Sequence, residues 1–383
     1  MAGRTSAERE ALDAQAKRIM TVFTRAGFDF IAPDIVQPAD MFLDSSGESI
    51  RARTYIFTDP AGRELCLRPD LTVPTCRYHL SHAADASTEA RYCYSGPAFR
   101  HRADGMAEFD QAGIEWFNAA DPVAAEAETL ALAVRALEAV GMKQFHIRTG
   151  DLGLFHALLA SIDMPDRWRR RLLHRFWRPQ AFRDLLDLLS GTTSRGRTSI
   201  SGHVDALAGV DLAGAVAYVE QTLGERELAL SGGRTARDIA VRLLEKAQDR
   251  TERPLGPEPR RRIDEYLAVE GSLASVPAAL APLTLSPAFS AAADRFARRT
   301  REMRKRRLAP EAMQFSADFG RSLEYYTGFV FEIEVEVDGE PLQIAGGGRY
   351  DSLMSDIGAA APVPAVGCAI HTERLLAAMR GAR

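Results

Sequence analysis

Strand-type sequence lies on both sides of a long helical segment, and this order limits the folds that the chain can adopt. Ahead of that segment, alternating and β-rich stretches predict strands between residues 53 and 117 and again at 143–151. An alanine-rich stretch with helical spacing at 122–140 predicts a helix between them. The first part of the chain is therefore expected to mix helices and strands.

Residues 160–284 carry only helical patterns, separated by Gly, Ser and Thr, and strand patterns return after about residue 311. A helical block between two strand-rich blocks predicts an insertion, with the strands before and after it joining one sheet. A chain of separate domains is the alternative. We expect an α+β fold in three parts: core segments at 1–160 and 285–383, and a helical insertion at 161–284.

The second core segment contains a clear strand, FVFEIEVEV at 329–337. Apolar residues alternate there with glutamates, so we predict an antiparallel strand with one dry face and one wet face. A guanidinium, a carboxylate and two phenols come just before it, and such groups need polar partners beside a dry face. They belong to Arg321, Glu324, Tyr325 and Tyr326.

The composition is that of a soluble globular protein, with 46% hydrophobic and 26% charged residues among 383. No apolar run approaches the ~20 residues that span a bilayer, and the N-terminus lacks the apolar stretch of a secretory signal. The four cysteines show no spacing typical of metal ligands, so we expect reduced, buried thiols and no metal site. These features predict a cytoplasmic protein that is not associated with a membrane.

Two arginine-rich runs, at 167–178 and 295–307, contrast with a net charge of −4. The first run contains two tryptophans, which could stack on nucleic-acid bases. However, only four of the 48 basic residues are lysines, so arginine is the usual cation of this chain. We interpret both runs as solvated helix faces, and a nucleic-acid partner is not expected.

The stretch EFDQAGIEWFN at 108–118 places an amide and a carboxylate on one face of a predicted strand. Gln111, Gly113 and Glu115 share that face, and the glycine between the two polar residues leaves room for a ligand across the sheet. The opposite face is mostly apolar. A partly hydrated sheet surface without function is the alternative interpretation.

A second polar pair, Asp70 and Thr72, lies in LRPDLTVP at 67–74. In extended backbone the two side chains share a side, and a carboxylate with a hydroxyl suits the three donors of a primary ammonium group. Asp and Thr also favour helix N-caps and turns, so a purely local structural role is the alternative.

Glycines and arginines mark two further stretches near the end of the chain. IAGGGRYDSL at 344–353 lacks the pattern of a phosphate-binding loop, and its glycines indicate close approach to a ligand or another strand. VGCAIHTERLL at 366–376 predicts a short strand followed by a helix. Arg374 at the start of that helix could clamp a phosphate or form a surface ion pair.

Together and in this order, these stretches resemble the catalytic core of the class II aminoacyl-tRNA synthetases, and within that class histidyl-tRNA synthetase. The similarity covers about the first 155 and last 100 residues, and the helical middle lies where that family carries an insertion. The matching stretches are APDIVQPADMF at 32–42 and YCYSGPAFR at 92–100 for the first and second class motifs, RSLEYYTG at 321–328 and AGGGRYDSL at 345–353 for the histidine-specific motifs, and VGCAIHTERLL at 366–376 for the third class motif.

The resemblance implies an antiparallel sheet flanked by helices, a dimer interface at the first motif and a pocket for histidine. In that pocket, carboxylates and hydroxyls would meet the ammonium group and the imidazole, and an arginine would meet the carboxylate. The residues implied are Asp70, Thr72 and Gln111 for the amino group, Glu115, Tyr325 and Tyr326 for the imidazole, Arg321 for the carboxylate and Tyr350 for closing the pocket.

Departures from the synthetase pattern cluster in the nucleotide half of the site. Arg100 and Arg374 keep the two arginines that bind ATP, but Arg102 replaces a glutamate that meets the adenine. His371 replaces a glycine where ATP would lie, and Ala107 replaces a further arginine. A degenerate nucleotide site is therefore expected, whereas the changes in the histidine pocket, at Asp70 and Ser322, are conservative.

Only nine residues follow Arg374, so we expect no anticodon-binding domain. This combination resembles the family of ATP phosphoribosyltransferase regulatory subunits, which are non-catalytic paralogues of the synthetase in histidine biosynthesis. The resemblance implies a homodimer that binds L-histidine, needs no cofactor, assembles with and activates the short-form catalytic subunit, and mediates feedback inhibition. The alternatives are a truncated enzyme that forms histidyl-adenylate and a tRNA-binding module.

Overall fold

The computed structural model describes residues 3–45, 50, 52–102, 107–193, 201–225, 235–283, 286–320 and 325–381. Its strands are β1 (Asp29–Phe30), β2 (Val36–Pro38), β3 (Ile56–Thr58), β4 (Glu64–Leu67), β5 (Ala90–Phe99), β6 (Glu108–Phe117), β7 (His146–Asp151), β8 (Glu270–Ser272), β9 (Gln314–Ser316), β10 (Phe329–Val337), β11 (Glu340–Arg349) and β12 (Ala365–His371).

The α-helices alternate with these strands in the first and last parts of the chain and follow one another in the middle. They are α1 (Ser6–Arg25), α2 (Asp40–Ser45), α3 (Thr72–His82), α4 (Pro122–Val140), α5 (Leu152–Ala160), α6 (Asp166–Arg175), α7 (Pro179–Leu189), α8 (Ser201–Ala206), α9 (Leu212–Glu225), α10 (Ala236–Thr251), α11 (Pro257–Leu267), α12 (Val276–Leu280), α13 (Pro287–Lys305), α14 (Leu353–Asp356) and α15 (Thr372–Gly381).

A nine-stranded sheet in the order β1-β5-β6-β12-β11-β10-β7-β9-β8 forms the centre of the fold. Strands from before and after the helical middle pair directly, β6 with β12 and β7 with β10, which confirms that both core segments build one sheet. Most neighbouring strands pair antiparallel, as the resemblance implies, and two pairs make the sheet mixed. The pairs β1·β5 and β7·β9 are parallel, because their strands are joined by long connections rather than by hairpins.

Helix α4 matches its predicted bounds, 122–140, because both of its ends carry strong capping signals. The Asp121 side chain accepts a hydrogen bond from the amide of Ala124, Pro122 fits the first turn, and Gly141 ends the helix with a φ of 101°. Most of its apolar side chains are buried, and it packs against α1, α13 and β12.

Strand β10 confirms the alternating pattern of 329–337, because Phe329, Phe331 and Ile333 are fully buried. It pairs antiparallel with β11 on one side and with β7 on the other. A smaller sheet, in the order β2-β4-β3, is formed by the region of the first class motif and the stretch after it.

The chain divides into two compact units. The first comprises Met1–Ile162, Phe176–Arg178 and Arg262–Arg383, and the second comprises Asp163–Arg175 and Pro179–Arg261. The second unit is helical and has its own apolar cluster around Leu207, Ala215, Val219 and Ala240. The second unit falls inside the predicted insertion, 161–284, whose boundaries stay a prediction.

Arginines of both basic runs form ion pairs with carboxylates of the same unit. Trp168 is also committed to the fold, because it is 2% exposed and its Nε1 donates to Asp249 Oδ1 over 2.5 Å. These contacts favour the interpretation of both basic runs as solvated helix faces that also stabilise the fold. The pairs are Arg167–Asp249, Arg170–Glu245 and Arg171–Asp249 in the first run, and Arg298–Asp121, Arg299–Glu126, Arg304–Glu311 and Arg306–Glu128 in the second.

Among the helices that the structure describes, none is long and apolar enough to cross a membrane.

Candidate functional site

A cavity of about 630 Å³ lies on one face of the nine-stranded sheet, within the first compact unit. Small residues of β11 and β12 leave space along its floor, where Gly346 pairs with Ala369 and, on its other side, with Glu332 of β10. Gly367 also lines the cavity, and a Cβ at this position would overlap the Glu115 carboxylate. The absence of side chains on adjacent strands thus creates the hollow.

Glu115 of β6 lies at one end of this cavity, with only 1% of its surface exposed. Three hydroxyl groups donate to its carboxyl group: Thr72 Oγ1 to Oε1 over 2.7 Å, the Tyr94 hydroxyl to Oε1 over 3.0 Å, and the Tyr350 hydroxyl to Oε2. Burial raises the pKa of Glu115 to about 8, against the lowering effect of these donors. The side chain is therefore held rigidly and can gain or lose a proton near neutral pH.

Asp70 and Gln111 also line the cavity. Asp70 Oδ1 accepts a hydrogen bond from the Val73 amide over 3.1 Å at the start of α3. Within the described part of the chain, Asp70 Oδ2 and Gln111 Oε1 are buried without a hydrogen-bond partner. Burial raises the pKa of Asp70, while the nearby Arg100 guanidinium lowers it.

The structure confirms the local structural role of LRPDLTVP and places both of its polar side chains at the cavity. Asp70 does stabilise a helix start through Oδ1, and the residue also lines the cavity. The backbone is not extended here, because Thr72 is already the first residue of α3. The two side chains converge on the cavity through the turn that precedes this helix.

Three tyrosines close the cavity next to Glu115. The ring centroids of Tyr325 and Tyr326 are 4.7 Å apart, and that of Tyr350 lies 5.5 Å from the Tyr325 ring. All the predicted histidine-binding residues that the structure describes thus line one cavity, together with the predicted nucleotide-site residues. Arg321, Ser322 and Glu324 lie outside the described residues.

Gly113 does not leave a hollow for a ligand, as its place between Gln111 and Glu115 had indicated. A Cβ at this position would lie 2.5 Å from the Tyr94 hydroxyl, so the glycine makes room for the Tyr94 side chain. Tyr94 is fully buried, and it was not predicted as a site residue. Tyr94 could have been found only from its pairing with Gly113 across β5 and β6, and the pattern of a single strand does not reveal that pairing.

The lining of the cavity is also rich in cations. Arg100 and Arg102 lie over the Phe109 ring at 5.3 and 4.9 Å, and His371 packs against the same ring at 5.7 Å. Arg374 Nη1 donates to the backbone oxygen of Gln343 over 3.0 Å. Further lining residues that the sequence reasoning missed are Arg53, His101, Glu332 and Gln343.

These cations influence one another's pKa values in partly buried surroundings. The pKa of Arg100 is lowered to about 10, mainly by burial, which Asp70 opposes and to which the neighbouring Arg53 and Arg102 add. Burial also lowers the pKa of Arg374, as does Arg102, while Glu332 has the opposite effect. The cavity lining thus combines buried acceptor atoms with a cluster of arginines.

The fold and this cavity define the class of protein. The sequence matches the histidyl-tRNA synthetase family over residues 4–211 and 236–375. A solved structure of an ATP phosphoribosyltransferase regulatory subunit/histidyl-tRNA synthetase from Bacillus halodurans has a TM-score of 0.70 at 20% identity, over 99% of this chain and 81% of that chain. The chain therefore has the class II aminoacyl-tRNA synthetase-like fold, with a mixed sheet flanked by helices.

Closer relatives narrow this class to one family. The chain is 36% identical over 366 residues to an ATP phosphoribosyltransferase regulatory subunit of Mesorhizobium japonicum, covering 94% of this chain and 96% of the relative. It is also 36% identical over 386 residues to the protein of the same name from Sinorhizobium fredii, covering 97% and 99%. The chain belongs to the family of ATP phosphoribosyltransferase regulatory subunits.

Proposed function

We propose that this chain binds free L-histidine in the cavity, at Asp70, Gln111 and Glu115, and uses it as a regulatory signal. The observation that carries the proposal is the pair of buried acceptors, Asp70 Oδ2 and Gln111 Oε1, which lack partners among the described residues. Leaving two such atoms unsatisfied is costly, and a primary ammonium group supplies the missing donors. The α-amino group of an amino acid meets this need.

The imidazole of histidine would lie against Glu115 and the tyrosines. A carboxyl group that already accepts three hydroxyl donors is fixed in position and can accept one further N–H from the ring. Tyr326 and Tyr350 supply aromatic walls beside it. Since Arg321 lies outside the described residues, its proposed contact with the histidine carboxylate rests on the sequence resemblance alone.

Calorimetric titration with L-histidine tests the proposal directly. We expect binding by the wild-type chain and an affinity about tenfold to a hundredfold lower for Asp70→Asn, because a charge-assisted hydrogen bond to the ammonium group is lost. Glu336→Ala, a change at an exposed glutamate of β10, is the matched control and should bind like the wild type. Unchanged histidine binding by Asp70→Asn would rule out this pocket.

A non-catalytic role is the second part of the proposal. Arg102 offers no acceptor to an adenine amino group, and the His371 side chain occupies part of the cavity wall where the synthetase family has glycine. Histidine-dependent exchange between ATP and pyrophosphate should therefore stay at background. Exchange clearly above background would favour the rival, an adenylate-forming enzyme, because Arg100 and Arg374 both line the cavity.

The partner of the regulatory subunit would be the short-form catalytic subunit of ATP phosphoribosyltransferase, in the first step of histidine biosynthesis in the cytoplasm. We expect this chain to assemble with that subunit, to activate it and to make it sensitive to histidine. Histidine must then favour one conformation of the assembly over another. Activity of the short-form subunit, measured with and without this chain and histidine, tests all three expectations.

A homodimer through the region of the first class motif completes the proposal. Large apolar side chains are exposed on and near the smaller sheet, which is unusual for a surface that meets only water. They are Phe30, Ile35, Val36, Tyr55, Ile56 and Phe57.

A further inference from the structure

Arg68, which directly follows β4, is buried although it carries a charge. It is 4% exposed, and it is not among the described residues that line the cavity. Its Nε donates to the backbone oxygen of Pro97 over 2.7 Å, and its Nη1 donates to that of Pro33. Within the part of the chain that the structure describes, Arg68 forms no ion pair with a carboxylate. An apolar side chain would avoid the cost of burying a charge, so the guanidinium needs a reason beyond packing.

The neighbouring strand makes room for this guanidinium. A Cβ at Gly96 of β5 would lie 2.7 Å from Arg68 Nη2, which is closer than side-chain carbons pack. The backbone of Arg68 is also fixed on two sides, because its amide donates to the oxygen of Ile35 over 3.0 Å and its oxygen accepts from the Phe99 amide over 2.9 Å. Side chain and backbone of Arg68 therefore join β5 of the large sheet to the segment that leads into β2.

This anchored residue lies two positions before Asp70. The residue between them, Pro69, is fixed as well, because its backbone oxygen accepts a 2.7 Å hydrogen bond from Arg100 Nε. Asp70 Oδ1 has its partner in the Val73 amide, and Oδ2 is buried without a partner among the described residues. The position of that acceptor is thus set by the turn that Arg68 anchors.

The charge of Arg68 also acts on Asp70. Burial lowers the pKa of the Arg68 guanidinium and raises that of the Asp70 carboxyl group, so each charged form is costly alone. The charge of Asp70 opposes the shift at Arg68, and the charges of Arg100 and Arg68 oppose the shift at Asp70. An ionised carboxylate can pair with an ammonium ion, whereas a protonated one offers no negative charge.

We propose that Arg68 is a positioning residue for ammonium recognition, which acts on the amino group of a bound amino acid through Asp70 without touching the ligand. It anchors the turn that carries Asp70, and its positive charge offsets the cost of a buried carboxylate. An apolar residue of similar length would supply neither the charge nor the hydrogen bonds to Pro33 and Pro97. The inference rests on the proposed function in taking Asp70 as the contact of the histidine amino group.

A double-mutant cycle in the full chain, measured by calorimetric titration with L-histidine, tests this role. We expect Arg68→Met to lower the affinity about tenfold in the wild-type background and less than about twofold in the Asp70→Asn background, because Arg68 acts through Asp70. Arg68→Lys keeps the charge and should recover part of the affinity. Arg63→Met, which removes an arginine that is 74% exposed, is the matched control and should bind like the wild type.

Equal losses in the two backgrounds, or an unchanged affinity in Arg68→Met, would overturn the proposal and leave Arg68 a residue of the fold alone. Thermal unfolding shows whether each variant folds. If Arg68→Met does not fold, Gly96→Ala displaces the guanidinium without changing the charge of the chain. That variant should lower the affinity about threefold or more where Asp70 is intact, and an unchanged affinity would overturn the proposal equally.

A second cycle on the same chains, by denaturant unfolding without histidine, separates this proposal from the proposed function. The equilibrium constant of unfolding should show a coupling of about tenfold between Arg68→Met and Asp70→Asn, because removing one charge leaves the other buried alone. A wild-type chain that shows this coupling but binds no histidine would overturn the proposed function and leave the action of Arg68 on Asp70 intact. Additive effects in the unfolding cycle, in a chain that binds histidine, would do the reverse.

Discussion

Glu115 connects the chemistry of the cavity with the stability of the protein, because it is a buried carboxyl group that titrates near neutral pH. Its pKa of about 8 lies above the ordinary value of 4.5. Between these two pH values the folded chain holds a proton on Glu115 that the unfolded chain releases. The contribution of this residue to stability is therefore greatest below about pH 4.5, falls as the pH rises, and levels off above about pH 8.

We predict that Glu115→Gln removes this loss, since glutamine resembles the protonated carboxyl group and does not ionise. Relative to the wild type, the free energy of unfolding of the variant should rise by up to about 1.4 kcal/mol for each pH unit between pH 5 and 8. Denaturant unfolding without histidine at several pH values measures it. A difference that stays constant with pH would mean that Glu115 is ionised throughout.

At the scale of residues, the sequence indicates the chemistry of the site better than its packing. Gln111 and Glu115 follow from strand alternation, and both line the cavity. Tyr94 does not follow, because its role depends on the register that brings it beside Gly113 on the next strand. Glu332 was predicted for a hydrated face of β10, and it lines the cavity because the strand register places it beside Gly346.

Secondary-structure elements are predictable where local signals are strong. Helix α4 carries a cap at each end and matches its prediction, and β10 matches through the alternation of apolar residues with glutamates from Phe331 onward. Strand β8, Glu270–Ser272, was missed, because its three residues include a glycine and gain their strand geometry from pairing with β9. Strand β8 also lies before residue 311, in a segment where only helices were predicted.

Helix α13 is joined to the sheet and to α4 by a buried ion-pair network. Arg299 is 3% exposed, and its guanidinium donates to Glu126 over 2.8 Å and to Asp151 at the end of β7. Arg349 of β11 also contacts Glu126, over 3.2 Å. Because Tyr350 follows Arg349 directly, the network supports the strand that carries a cavity residue.

We predict that Arg299→Met lowers the free energy of unfolding by about 3 kcal/mol, since two buried carboxylates lose a shared partner. Arg304→Ala is the control on the same helix, where both Arg304 and Glu311 are largely exposed, and it should cost less than about 1 kcal/mol. Denaturant unfolding compares the two variants. Equal effects would mean that Arg349 alone compensates the buried carboxylates.

At the scale of the whole molecule, the order of strand and helix patterns predicted that both core segments share one sheet. The strand order itself was beyond reach, because pairs such as β6 with β12 join residues far apart in the chain. Association between chains is equally invisible to local patterns. A contact between chains can be inferred only once the exposure of each side chain is known. From sequence alone, the apolar residues of β3 resemble those of any half-buried strand, whereas the structure exposes them.

We predict a symmetric dimer whose interface includes the exposed apolar residues of β2 and β3. Val36, Ile56 and Phe57 are 44%, 43% and 40% exposed, and burial against the same surface of a second copy would remove them from water. Phe57→Glu places a charge in that interface, so the sedimenting mass should fall from twice the chain mass of 42.0 kDa towards that of one chain.

Val241→Glu is the matched control, because Val241 is a similarly exposed apolar residue, at 38%, on α10 of the second compact unit. Sedimentation velocity at equal micromolar concentrations should find this variant dimeric like the wild type. A wild-type chain that sediments as a monomer, or a dimer that persists in Phe57→Glu and dissociates in Val241→Glu, would place the contact elsewhere. A dimer lost only in Phe57→Glu would assign the apolar surface of the smaller sheet to self-association, which leaves the remaining surfaces to the catalytic subunit.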